Sequence, residues 1–224
     1  MGTNTDRSAP QSRRTSRQAG FTMIEVLITL IVLALGLIGV IGLQARGQQA
    51  ELESYQRGQA LALLQDMVDR INTDRAAAHS LSYVTSSPVG GGGALATCTT
   101  GTTPAAMAAY DLCDWGNELN GAAESTSGTT CTTSSGTGCI GAMLGARGCV
   151  SYDNTTELTD TTGAAETGTG IYTVTVAWQG LAPTAAPPAN LTCGQNLYPA
   201  GSTANDAYRR VVMATLRIGD LNSP

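Results

Sequence analysis

The chain has 224 residues, of which 17 are acidic and 12 are basic, and its formal net charge is −5. All the basic residues are arginine, and His79 is the only histidine. With one histidine and neither a G-x-S-x-G nor an H-E-x-x-H motif, the sequence predicts no enzyme, no cofactor and no metal site. Outside the N-terminal region the only paired basic residues are Arg209 and Arg210, so no nucleic-acid binding is expected.

A basic start precedes a long apolar run. Residues 1–20 contain four arginines and one aspartate, whereas residues 21–43 carry one formal charge, Glu25. A run of this length can cross a hydrocarbon core of about 30 Å as a helix. Because flanking arginines stay on the cytoplasmic side, we predict a cytoplasmic N-terminus and an exported remainder.

A cleaved secretory signal peptide is the alternative interpretation of this start. Such a peptide has an apolar region of about 7–15 residues followed by a cleavage site of the A-x-A kind. The run here is longer, and the sequence QARGQQAELE that follows Leu43 contains no such site. We therefore expect the apolar segment to be retained.

The stretch GFTMIEVLITLIVLALGLIGV, which begins at Gly20, resembles the class III signal of type IV prepilins and pseudopilins. The resemblance extends over about residues 13–60. It implies that residues 1–20 are a leader, that a prepilin peptidase cuts between Gly20 and Phe21, and that Phe21 is then N-methylated.

Glu25 is unusual because a charged side chain at the centre of a membrane helix costs about 2.5–3.5 kcal/mol. Cleavage before Phe21 would create an α-amino group that is cationic at neutral pH. Glu25 lies about 6 Å further along a helix, so we expect it to pair with the Phe21 amine of a neighbouring subunit and to register assembly. A carboxylate that only reaches the lipid headgroups is the alternative.

Helical signals continue to about Arg75. We predict one helix from Thr22 to Arg75, with a membrane or filament-core half over 21–43 and an amphipathic half over 44–75. Its apolar stripe is formed by Ala60, Leu61, Leu64, Met67, Val68 and Ile71.

The sequence of this helix shows two further features. Glu53 with Arg57 and Asp66 with Arg70 are i,i+4 pairs expected on a solvated face. Glycines at positions 36, 39 and 42 either allow close packing of neighbouring helices or weaken the helix locally.

Residues 76–146 are rich in threonine and glycine and read as a decorated loop. Within it, residues 105–119 predict a short helix whose Trp115 packs on the head. The stretch GTGCIG at 136–141 matches G-x-G-x-x-G, but no strand precedes it, so we interpret it as a turn.

Residues 147–224 contain three predicted strands, at 147–153, 171–180 and 208–219. The alternation in the second strand places Tyr172, Val174, Val176 and Trp178 on the face that should cover the helix stripe. The sequence predicts an α+β fold in which a small antiparallel sheet lies on the long helix, and the pilin resemblance implies the same fold.

Six cysteines and no C-x-x-C pair in an exported region predict disulfides, with fifteen connectivities open. The favoured pairs are Cys149 with Cys193, Cys131 with Cys139, and Cys98 with Cys113. Other connectivities remain alternatives at this point.

Several stretches are similar to minor pilins of the PilV type, namely GLIGVIGLQ, DCDWGNEL and VTVAWQG. The resemblance implies a subunit for type IV pilus assembly that moves from the inner membrane to the pilus. The implied partners are prepilin peptidase, other minor and major pilins, the inner-membrane assembly platform and a tip adhesin. A minor pseudopilin of a type II secretion system is the alternative, and an adhesin or DNA-capturing module is a third hypothesis.

Overall fold

The computed structural model describes residues 20–92, 94–122, 143–198 and 206–219. Two compact units divide between Gly47 and Gln48, and helix α1 (Met23–Thr73) contributes residues to both. The predicted α+β class is confirmed, because a long N-terminal helix is followed by an antiparallel sheet and disulfide-bonded loops. Cys131, Cys139 and the GTGCIG stretch lie outside the described residues.

Helix α1 is continuous through Gly36, Gly39 and Gly42, so these glycines do not interrupt it. It ends two residues before the predicted Arg75. The reason is Asp74, whose carboxylate accepts a hydrogen bond from the Ala77 amide at 3.0 Å and so begins a second helix, α2 (Arg75–His79).

In the second unit, α1 buries one stripe against the head. The predicted stripe is largely correct, but Leu61 is wrong, since it is 47% exposed. Gln56, which was not predicted, also belongs to the buried stripe. It lies one turn before Ala60, and a spacing of three to four residues keeps side chains on a single helix face. The buried members are Gln56, Ala60, Leu64, Met67 and Ile71.

Among the described residues the sheet has four strands, whereas three were predicted. They are β1 (Val89–Gly90), β2 (Leu144–Asp153), β3 (Ile171–Gln179) and β4 (Arg209–Arg217), paired antiparallel in the order β1-β2-β3-β4. β1 has two residues and therefore no alternation to detect. β2 begins earlier than predicted, at a register shift between Leu144 and Arg147, where Gly145 adopts a φ of +60°.

One face of β3 packs on α1, as its alternation predicts. Tyr172, Val174, Val176 and Trp178 are buried in the same cluster as Leu64, Met67 and Ile71 of the α1 stripe. The Tyr172 hydroxyl donates a hydrogen bond to the carbonyl of Ala78 in α2. The core of the head therefore lies between the helices and this sheet face.

Helix α3 (Pro104–Leu119) completes the core at the β1 side of the sheet. Thr103 caps it by accepting a hydrogen bond from the Ala106 amide at 3.2 Å. Trp115 is fully buried, and its indole N–H donates to the Leu63 carbonyl of α1 at 2.8 Å. The disulfide Cys98–Cys113 ties the preceding segment to α3.

Arg70 joins α1 to α3 through an excess of carboxylates. Its guanidinium lies 2.7 Å from Asp66, 2.9 Å from Asp114, 3.0 Å from Glu118 and 3.6 Å from Asp111. The expected Asp66–Arg70 pair thus forms, but the expectation of a solvated face is wrong because Arg70 is 19% exposed. The second expected pair is wrong, because Glu53 pairs with Arg210 and not with Arg57.

Burial and neighbouring charges shift the pKa values of Arg70 and Glu118 in this cluster. Although burial lowers the pKa of Arg70, the hydrogen bond with Asp114 and the charges of Asp66 and Glu118 raise it above its ordinary value. Burial raises the pKa of Glu118 to about 6, and the carboxylates of Asp66 and Asp114 add to that rise against the lowering effect of Arg70. Burial is the largest cause, and the crowding of four carboxylates around a single guanidinium adds to it.

The opposite sheet face is covered by the connection between β3 and β4. The disulfide Cys149–Cys193 holds this connection on β2. Arg209 is 1% exposed, pairs with Asp206 at 3.0 Å and donates to the carbonyls of Leu191 and Cys193. A buried guanidinium with all these acceptors fixes the connection in one position.

Substitution of Gly148 tests the packing of α3 on β2. A Cβ at this position would lie 2.2 Å from the Trp115 ring, so Gly148→Ala should lower the free energy of unfolding of the head by about 1–3 kcal/mol or more. Gly58→Ala is the matched control, since nothing lies within 4 Å there and alanine favours a helix. Chemical denaturation in detergent measures both, and equal stabilities would contradict the packing.

Glu118 predicts a pH dependence. Because its folded pKa of about 6 exceeds the ordinary 4.5, its contribution to stability is complete below pH 4.5 and is lost as pH rises through 6. Glu118→Gln does not titrate, so wild type should lose about 1 kcal/mol relative to this variant between pH 4.5 and 7.5, allowing for partial exposure. Denaturation midpoints at the two pH values measure this, and a constant difference would refute it.

Candidate assembly surface

The N-terminal turn of α1 brings together three of the predicted site residues. Gly20 is exposed, Phe21 is 82% exposed, and both precede the helix, which begins at Met23. Glu25 lies in the first helical turn. The Gly20–Phe21 peptide bond therefore precedes the helix, and both of its residues are exposed.

Thr22 caps this turn, a feature that the sequence interpretation did not include. Its hydroxyl oxygen accepts a hydrogen bond from the Glu25 amide at 3.3 Å. The T-x-x-E spacing from Thr22 to Glu25 is the first half of a capping box and could have revealed it. Negative charge in the first turn of a helix also interacts favourably with the positive end of the helix dipole.

The first unit exposes an unusually apolar surface. Every large apolar side chain from Phe21 to Leu43 is between 47% and 91% exposed. This stretch of α1 is long and apolar enough to cross a membrane, as judged by length and composition. Apolar surface on this scale identifies a region that lipid or other protein chains cover.

Gly36, Gly39 and Gly42 lie within the same segment, and nothing approaches within 4 Å of the position that a Cβ would occupy at any of them. Their three-residue spacing keeps them near one side of the helix. Such small residues allow another helix to approach the backbone closely in an apolar environment. The continuous helix favours this packing role over local weakening.

The predicted cysteines lie in the head and not at the N-terminal turn. Cys98 bonds to Cys113 and Cys149 to Cys193, which are two of the favoured pairs. Within the described ranges, no group of three or more histidine, cysteine, aspartate and glutamate side chains is arranged to hold a metal ion. The candidate site therefore consists of the exposed N-terminal turn and the apolar helix surface that follows it.

Comparison with known protein families agrees with this geometry. Residues 15–41 match the prokaryotic N-terminal methylation motif. Residues 42–113 match the family described as type IV pilin Tt1218. Neither match extends into residues 114–224, and searches of curated proteins and of solved structures found no match.

Over residues 15–113, these two matches are consistent with a type IV pilin, a class of pilus-related structural subunits, and the fold is consistent with the same class. Over residues 42–113 the sequence is similar to the Tt1218-like family. The long α1 with its exposed apolar half and the sheet that packs on its other half are the structural counterpart of these two matches.

Proposed function

We propose that this protein is a minor pilin, similar to the PilV type, that takes part in type IV pilus assembly. The observation that carries the proposal is the exposed apolar half of α1, which is joined through one continuous helix to a disulfide-bonded head. A subunit built in this way can be held in a bilayer and later packed among similar helices without refolding its head.

Processing by prepilin peptidase comes first. The exposed, non-helical Gly20–Phe21 bond is a suitable substrate, because a peptidase must bind its substrate in an extended form. Cleavage leaves Phe21 with a free amine, which the same enzyme methylates. Thr22 then holds the new terminus at the start of a capped helix, with Glu25 one turn away.

The membrane is the site of storage. Residues 21–43 span the inner membrane with the N-terminus in the cytoplasm and the head in the periplasm, because arginines precede the span. During assembly the platform protein extracts the subunit, and contacts with lipid are exchanged for contacts with other minor and major pilins. In the filament, Glu25 meets the Phe21 amine of a neighbour, and a tip adhesin is a further partner.

The features of the head support a minor pilin of the PilV type. The DCDWGNEL stretch of α3 supplies Cys113 to a disulfide, Trp115 to the core, and Asp114 and Glu118 to the Arg70 cluster. The VTVAWQG stretch supplies the central strand β3. Two of the three stretches that carry the resemblance thus contribute to the head.

Glu25 provides the first test of the proposal. Glu25→Gln keeps the side-chain shape and removes the charge, so membrane insertion should be maintained while the amount of protein in sheared pili falls by tenfold or more. Thr29→Val is the matched control, because it alters a polar residue one turn further along the same face. Immunoblots of membranes and sheared pili measure both, and unchanged incorporation of the Gln variant would refute the assembly role.

A deletion separates the pilus from the secretion alternative. Loss of this protein should reduce surface pili and twitching and leave release of type II exoproteins intact. Pilus counts, twitching zones and exoprotein assays in one strain measure the two outcomes. Normal twitching together with blocked exoprotein release would identify a pseudopilin of a type II secretion system instead.

A further inference from the structure

Strand β4 is the last strand of the described sheet. Its inner edge pairs with β3 along its whole length, from Arg209–Gln179 to Arg217–Ile171. No described strand pairs with its other edge. An edge strand presents a row of unpaired N–H and C=O groups, to which another extended chain can add.

A groove of about 400 Å³ runs between this strand and α1 in the head. We call it the edge groove, and it is lined by Ala50, Glu53, Ser54, Arg57, Arg210 and Val212, among others. Side chains alternate between the two faces of a sheet. A strand added to β4 would therefore direct every second side chain toward α1 and into the edge groove.

The edge groove contains more positive than negative charges. Glu53 pairs with Arg210 at 3.2 Å and also accepts hydrogen bonds from the amides of Leu181 and Ala182. Arg57 is exposed, and no described residue forms an ion pair with it. The groove thus contains a neutralised pair and one additional positive charge.

An apolar surface lies beside this charge. Leu61 follows Arg57 by four residues on α1, which places the two side chains on the same side of the helix, and it is 47% exposed. Across the groove, Val212 of β4 is partly buried. The rise over four helix residues is about 6 Å, close to the roughly 6.8 Å between alternate residues of a strand.

We propose that the β4 edge binds an extended segment of another protein, with an acidic residue opposite Arg57 and an apolar residue two positions away beside Leu61. Backbone hydrogen bonds to β4 supply affinity, and the two alternate side chains supply specificity. The proposed function bears on the inference only by making a neighbouring pilus subunit the source of the segment.

The charges argue against a second copy of this chain as the occupant. Two β4 strands paired edge to edge would bring together the unneutralised arginines of both copies, since each strand carries Arg217 and lies beside Arg57. Like charges opposite one another destabilise such pairing. An acidic segment is the partner of complementary charge.

A peptide assay on the full-length protein in detergent tests the inference without pilus assembly. The probes are the peptide Thr-Thr-Glu-Thr-Leu-Thr-Thr and the same peptide with lysine in place of glutamate. Arg57→Glu should weaken binding of the glutamate peptide by about tenfold, the equivalent of one charge pair, and strengthen binding of the lysine peptide. Arg46→Glu is the matched control, because it makes the same charge reversal at an exposed position of α1 about 16 Å along the helix from Arg57. It should change neither affinity by more than about twofold, since that distance exceeds the Debye length of about 8 Å.

Fluorescence anisotropy measures the affinities, and amide hydrogen exchange locates the site, with slowed exchange expected in β4. Equal binding of the two peptides to wild type, equal effects of the two arginine variants, or slowed exchange outside β4 would overturn the inference. Sedimentation that shows dimers broken by the glutamate peptide would identify a second copy as the occupant and would likewise refute it. A deletion strain that makes normal pili and twitches normally, while the peptide result holds, would refute the proposed function alone.

Discussion

The apolar surface between Phe21 and Leu43 is the constraint on which the rest of this structure depends. Fully burying one large apolar side chain is worth about 1.5–3 kcal/mol, and every such side chain in this segment is exposed. Their sum exceeds the roughly 5–15 kcal/mol that holds an ordinary domain together. The segment must therefore be covered by lipid or by other protein chains. In the proposed function one cover replaces the other, and the head must stay folded during the exchange.

The head meets that requirement with few apolar residues. Trp115 fills the space above Gly148, a position without a side chain, and also donates a hydrogen bond to α1. Two disulfides and the buried Arg209 fix loops that bury little surface of their own. Arg70 binds α3 to α1 through charges, at the cost of leaving Glu118 with a raised pKa. Disulfide bonds and polar contacts thus supply stability that a larger apolar core would otherwise supply.

Sequence reasoning predicted those parts of the fold in which buried residues recur at a regular spacing. The alternation of Tyr172, Val174 and Val176 and the three-to-four spacing of Leu64, Met67 and Ile71 placed β3 and the α1 stripe on each other correctly. β1 was missed because two residues carry no pattern. The partners of Glu53 and Arg70 were misjudged for a different reason: both i,i+4 pairs were possible locally, but residues distant in sequence, Arg210 and Glu118, reached the same side chains.

The candidate site was predictable to the extent that it depends on local sequence. Glu25 stands out because a charge interrupts an apolar run, and Gly20 and Phe21 follow from the motif around it. The cap formed by Thr22 also depends on local sequence, but the sequence interpretation did not include it. The edge groove has no local signature, because Arg57 and Val212 meet only through the tertiary fold.

The contacts of Glu53 have a mechanical consequence. A pull applied to the apolar half of α1 enters the head along the helix and reaches Glu53 before the buried stripe that begins at Gln56. Its bonds to Arg210 and to the amides of Leu181 and Ala182 are thus the first to be loaded, and they share the force among three donors. Tension would be passed to the connection between β3 and β4 and its disulfide before it could peel the helix from the sheet.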